Sequence, residues 1–121
     1  MNLDGAPVLD LAVVAELRAS TGDDDAFMAE LVETFVSEGA ANLEGMLAAA
    51  AAADPAAIVR PAHSLKSTSA SLGAMRLSAI CRGIEESGRE GRAEALQADT
   101  DVARSTWDET LEAFAAAGLR A

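Results

Sequence analysis

The sequence predicts an all-α fold: an antiparallel up-down four-helix bundle with an additional short N-terminal helix. Three observations carry this expectation. Half of the 121 residues are hydrophobic but only 3% are aromatic, so the core must come from helices that approach closely on small side chains, alanine above all. Apolar residues recur at helical spacing, and no alternating run joined by Asn-Gly or Asp-Gly turns marks a strand pair. Apart from Pro7, Pro55, Pro61 and scattered glycines, nothing interrupts helical patterning. The length suits one domain with one core, divided into a lead-in and short helix over 1–22 and the bundle over 23–118.

Leu9, Val13 and Leu17 predict the short first helix, ended by Ser20-Thr21-Gly22. Asp23, Asp24 and Asp25 then supply an N-cap and first-turn negative charge for a long second helix. Its buried stripe is Met28, Leu31, Val32, Phe35, Leu43, Met46, Leu47 and Ala50, with a slight bend expected at Gly39. The alanine run Ala48 to Ala53 extends this helix, since alanine is the best helix former. Asp54-Pro55 restarts the chain, with aspartate at the N-cap and proline at the first helical position. The third helix should reach Leu72, with Gly73 taking the left-handed conformation that ends helices. Pro61 lies inside it and predicts a kink just before His63, because proline lacks a donor for the Ala57 carbonyl. A fourth helix is expected from Ala74 to Ser87, stopping at Gly88. A fifth runs from about Ala93 to Ala117 and buries Leu96, Ala103, Trp107, Leu111 and Phe114.

Charge and composition exclude several function classes. A net charge of -11 opposes nucleic acid and anionic membranes, both of which need clustered Lys and Arg. The longest apolar run, Met46 to Ala53, is far short of the roughly 20 residues of a membrane-spanning helix. Asp4 and Asp10, with no basic residue before them, argue against a signal peptide, so a cytoplasmic monomer is expected. One cysteine, Cys81, allows no internal disulfide, and its place in the series Leu77, Ile80, Cys81, Ile84 predicts a packed, inert thiol. One histidine and one cysteine cannot furnish a zinc or di-iron site, so no metal is expected on this chain. No phosphate-binding glycine loop or dinucleotide fingerprint is present, which argues against ATP binding.

The only histidine, His63, stands three residues before the only lysine, Lys66. At about 100° per residue Lys66 lies about 60° around the helix and one turn along, within reach of a group bound to the imidazole. Ile58, Ala62, Leu65, Ser69 and Leu72 form the opposite, buried face. A lone histidine is most often a surface or capping residue, but this one faces outward beside a cation and among the small residues Ala56, Ser67 and Ala70. These side chains leave a shelf on which another protein can dock, and Arg60 shares the face. The remaining serines and Thr68 read as helix hydroxyls bonded back to the preceding turn. Glu85 and Glu86, amid Arg82 and Arg89, read as ordinary intrahelical ion pairs. A non-catalytic helical interaction module would share this bundle but would have no use for His63.

The run His63-Ser64-Leu65-Lys66-Ser67-Thr68-Ser69-Ala70-Ser71-Leu72-Gly73-Ala74, followed by Leu77, Cys81, Ile84 and Glu85, resembles the signature of histidine-containing phosphotransfer domains of multistep phosphorelays. The resemblance covers roughly Asp24 to Gly118. It implies that His63 accepts a phosphoryl group from a receiver-domain aspartate and passes it on, and that Lys66 supports the phosphate. The implied partners are receiver domains of response regulators or of a hybrid histidine kinase. The magnesium of such a reaction is expected on the receiver, with no cofactor and no kinase activity on this chain. One position departs from the family's usual pattern: Ser67 stands where glycine is commonest.

Overall fold

The computed structural model describes residues 6–120; Asp4, which enters the leader argument, lies outside them. Five helices follow one another: α1 Leu11–Ser20, α2 Asp25–Ala51, α3 Pro55–Ser71, α4 Met75–Arg89 and α5 Leu96–Ala116. The links at 52–54, 72–74 and 90–95 are short, so successive helices of the bundle are forced to run antiparallel. α3 packs most extensively on α4 and next on α2, and α5 closes the ring against α4 and α2.

Aspartates start three of the helices by accepting from backbone N–H groups that otherwise lack partners. Asp10 accepts from Ala12, Asp24 from Phe27 and Asp54 from Ala57, with Pro55 in the first turn of α3. Gly73 has φ +83, as its place after α3 predicts, and Gly22 with φ +75 follows α1. α3 runs continuously through Pro61. The proline ring lies against Gly45 of α2, where an added Cβ would sit 3.5 Å from the Pro61 Cβ.

The core holds the predicted stripe of α2, with Met28, Val32, Phe35, Leu43, Met46 and Ala50 buried; Leu31 and Leu47 are partly buried at its margin. From α5, Leu96, Ala103, Trp107 and Phe114 enter the core while Leu111 stays at the edge. Phe35 joins the two helices, its ring centroid 5.3 Å from Trp107 and 5.7 Å from Phe114. Such pairs contribute about 0.5 to 1.5 kcal/mol beyond their buried area.

Two glycines do work that their helical surroundings conceal. A Cβ on Gly39 would lie 2.5 Å from the Trp107 Cη2, so this residue seats the indole against α2. Gly88 does not stop α4, which continues to Arg89. A Cβ there would meet the Pro55 carbonyl oxygen at 2.8 Å, so Gly88 is buried where α4 crosses the start of α3. The chain turns instead at Gly91, with φ +71, and α5 begins only at Leu96.

The N-terminal segment straps the α3–α4 turn. The Asp10 N–H donates to the Gly73 carbonyl at 2.7 Å, and Arg76 donates from its backbone N–H to Pro7 at 2.9 Å and from Nε to Ala6 at 3.0 Å. α1 then contributes Val14 to the core, capping the bundle end at which α3 stops.

Candidate functional site

The inward face of α3 fixes what its outward face can present. Ile58, Ala62, Leu65 and Ser69 are all 0% exposed, so the residues between them point to solvent or to the flanks. His63 stands on the outward side with its side chain 54% exposed. Lys66 leans toward α4, whereas Ser64, Ser67 and Thr68 turn toward α2.

The centre of the site is Glu85 of α4, whose side chain is 7% exposed. Its Oε2 lies 3.0 Å from His63 Nδ1 and accepts from Arg89 at 3.0 Å (Nε) and 2.8 Å (Nη2). Lys66 Nζ lies 2.6 Å from the other oxygen, Oε1. Burial by itself raises the Glu85 carboxyl, the largest single effect. Hydrogen bonds from Lys66, Arg89 and His63, with the attraction of the Lys66 charge, outweigh it and hold the group down at about 2. Glu85 is therefore ionised at neutral pH and can only accept hydrogen bonds. It follows that Nδ1 of His63 carries the proton it donates to Oε2, and that the lone pair of the neutral imidazole is on Nε2.

The sequence-predicted site residues are only partly brought together. His63 and Lys66 meet at Glu85, and Ser67 lies beside His63 in a shallow groove between α2 and α3 lined by Glu38, Ala41, Asn42, Ser64 and Thr68. Ala70 is half-buried, while Ala56 and Arg60 are exposed; none of the three lines the groove. The spacing of Glu85 and Arg89 predicts an intrahelical ion pair. That pair exists, but the carboxylate also holds His63 and Lys66 across the α3–α4 interface. The sequence signal available was the position of Glu85 at the end of the phosphotransfer signature. Thr68 and Ser71 bond back to the carbonyls of Ser64 and Ser67, as helix hydroxyls do. Cys81 is buried and its thiol is pushed up to about 12 by that burial, which leaves it unreactive. Among the described residues no group of three His, Cys, Asp or Glu side chains is placed to hold a metal ion, and no helix is long and apolar enough to cross a membrane.

The site is thus an exposed imidazole held by a buried carboxylate on the face of a four-helix bundle. The Hpt domain family model matches residues 30–117. The chain belongs to the Hpt domain family. The crystal structure of histidine-containing phosphotransfer protein B (HptB) from Pseudomonas aeruginosa PAO1 superposes with a TM-score of 0.81 at 31% sequence identity, over 91% of this chain and 93% of that one. No curated protein sequence matches the chain. This Hpt domain works in histidine phosphotransfer within phosphorelays, in which receiver domains are its partners.

Proposed function

We propose that His63 is the phosphoacceptor and that Nε2 is the reacting atom. The observation that carries this is the bond from Nδ1 to ionised Glu85, which orients the ring and leaves the Nε2 lone pair free on an imidazole 54% exposed. In the forward step Nε2 attacks the phosphorus of a receiver's aspartyl phosphate. The Nε2–P bond forms, the acyl-phosphate O–P bond breaks, and its electron pair returns to the aspartate carboxylate. The imidazole becomes cationic as it accepts, and Glu85 stabilises that charge through Nδ1–H. Reversal of these steps delivers the group to a second receiver.

Lys66 supports the transferred phosphoryl group as a mobile point charge. It rests on Glu85 Oε1, and the carboxylate remains paired through Oε2 with Arg89 and His63 when the ammonium swings outward. Ser67 keeps the approach open because its side chain is small. We place the divalent cation of the reaction on the receiver, where it neutralises phosphoryl charge; the Glu85 carboxylate is already engaged by three basic side chains. The chain then acts as a cytoplasmic, monomeric phosphocarrier that takes its phosphoryl group from a receiver, without ATP-dependent kinase activity of its own. Incubation with a panel of phosphorylated receiver domains tests the reading. Acid-labile, alkali-stable label is expected on the wild type and none on a folded His63→Gln variant; equal labelling of the variant refutes it.

A further inference from the structure

The strip of surface that holds the groove beside His63 is electrostatically polar, from Glu38 in the groove to Arg60 beyond it. α2 and α3 run antiparallel, and the contact between Gly45 and Pro61 sets their register. From that contact, moving back along α2 toward Glu38 corresponds to moving forward along α3 toward Thr68, and both residues line the same end of the groove. The floor between is small and neutral: Ala41, Ser64 and Ser67. Beyond the groove's other end and outside its lining, one turn before His63 and four residues before Ser64 on α3, stands Arg60, exposed. Among the described residues neither Glu38 nor Arg60 takes part in an ion pair. The cations of the acceptor centre do not cancel Glu38, since Lys66 and Arg89 are held by Glu85 on the α4 side.

We propose that Glu38 and Arg60 are specificity determinants for the receiver: the groove accepts a receiver whose docking surface has a basic side chain opposite Glu38 and an acidic one opposite Arg60. This rests on the phosphotransfer reading, and it adds which receivers are served and in which orientation they dock. Two opposite charges, Glu38 within the groove and Arg60 one turn beyond it, admit one direction of docking. The reversed direction sets like charges against each other, and such juxtaposition rejects wrong partners more strongly than correct pairs attract right ones. Direction matters because the receiver's aspartate must arrive within about 3 to 3.5 Å of Nε2 in line with its lone pair.

The test measures kcat/KM for transfer from phosphorylated receivers at low and high salt, for the wild type, Glu38→Lys, Glu38→Gln and Glu112→Lys. Glu112, exposed on α5 diagonally across the bundle from α3, gives the same change of net charge at a remote place. For a receiver basic at the matching position, Glu38→Lys is expected to lower kcat/KM by about tenfold at low salt, Glu38→Gln by about threefold and Glu112→Lys by less than twofold. The rate at saturating receiver stays near parental, the effect shrinks with salt, and reversing the receiver's basic residue to glutamate restores transfer to Glu38→Lys. Melting temperatures verify that the variants fold. Parental kcat/KM for Glu38→Lys with every receiver that serves the wild type, or an equal loss in Glu112→Lys, overturns the proposal while leaving the phosphotransfer reading intact. A wild type that accepts from no receiver overturns both.

Discussion

Replacing Glu85 by glutamine keeps the shape of the site and removes the charge on which three side chains converge. Lys66, Arg89 and His63 contact the carboxylate at 2.6, 2.8 and 3.0 Å, and a hydrogen bond to a charged group contributes about 1.5 to 3 kcal/mol. Lys66 and Arg89 are 25% and 59% exposed, so both recover much of their loss by hydration. The expected destabilisation is about 2 kcal/mol, or about 8 °C in Tm for a domain of this size. Transfer suffers more directly, because the bond to Nδ1 strengthens as the imidazole becomes cationic. Losing about 1.5 to 3 kcal/mol there slows acceptance about ten- to a hundredfold. Glutamine can also donate to Nδ1, which places the ring proton on the attacking nitrogen. The pH dependence of stability separates the charge from the packing. The Glu85 carboxyl is lowered from 4.5 to about 2 in the folded protein, so its stabilisation is complete above pH 4.5 and lost as pH falls toward 2. The gap in urea stability between wild type and Glu85→Gln should close across that window. Rapid-quench transfer and urea titrations decide it; parental transfer in a folded variant, or a stability gap independent of pH, refutes the role given to Glu85.

Further outcomes follow from the same packing. Ser67→Gln, which fills the groove beside His63, should cut phosphotransfer by orders of magnitude with little change in Tm, whereas Ser67→Gly should transfer at least as fast and lose roughly 0.5 kcal/mol of stability in urea. Gly88→Ala brings a Cβ within 2.8 Å of the Pro55 carbonyl oxygen, and the clash should exceed the gain in helix propensity and destabilise the fold by about 1 to 2 kcal/mol in urea titrations. Cys81, buried with its thiol raised to about 12, should react with a thiol reagent at pH 8 only after denaturation.

Local chemistry made most of the bundle legible in the sequence. Asp24, Asp54 and Gly73 mark helix ends by interactions within a few residues, and the stripe from Ile58 to Ser69 states which way His63 must face. What stayed hidden depends on contacts between distant segments. Glu85 and Arg89 are four residues apart, which is enough to describe an ordinary surface pair; that the same carboxylate orients His63 depends on how α4 lies against α3. Gly88 carries the mark of a helix end, yet its lack of a side chain serves a crossing with Pro55, and the turn falls at Gly91. Gly39 suggests a bend from the sequence, whereas its role as the seat for Trp107 depends on how α5 lies against α2. The strap from Ala6 to Asp10 over the α3–α4 turn leaves no periodic signal, since its bonds reach across more than sixty residues of sequence to Gly73 and Arg76.

The most direct measurement is the position of phosphorus on the imidazole after transfer from a phosphorylated receiver, read by long-range 1H–15N and 15N–31P NMR on uniformly labelled protein. The account predicts phosphorus bound to Nε2 of His63, with Nδ1 still protonated toward Glu85 and no phosphorylated species in His63→Gln. Phosphorus on Nδ1, or on any other residue, would contradict it.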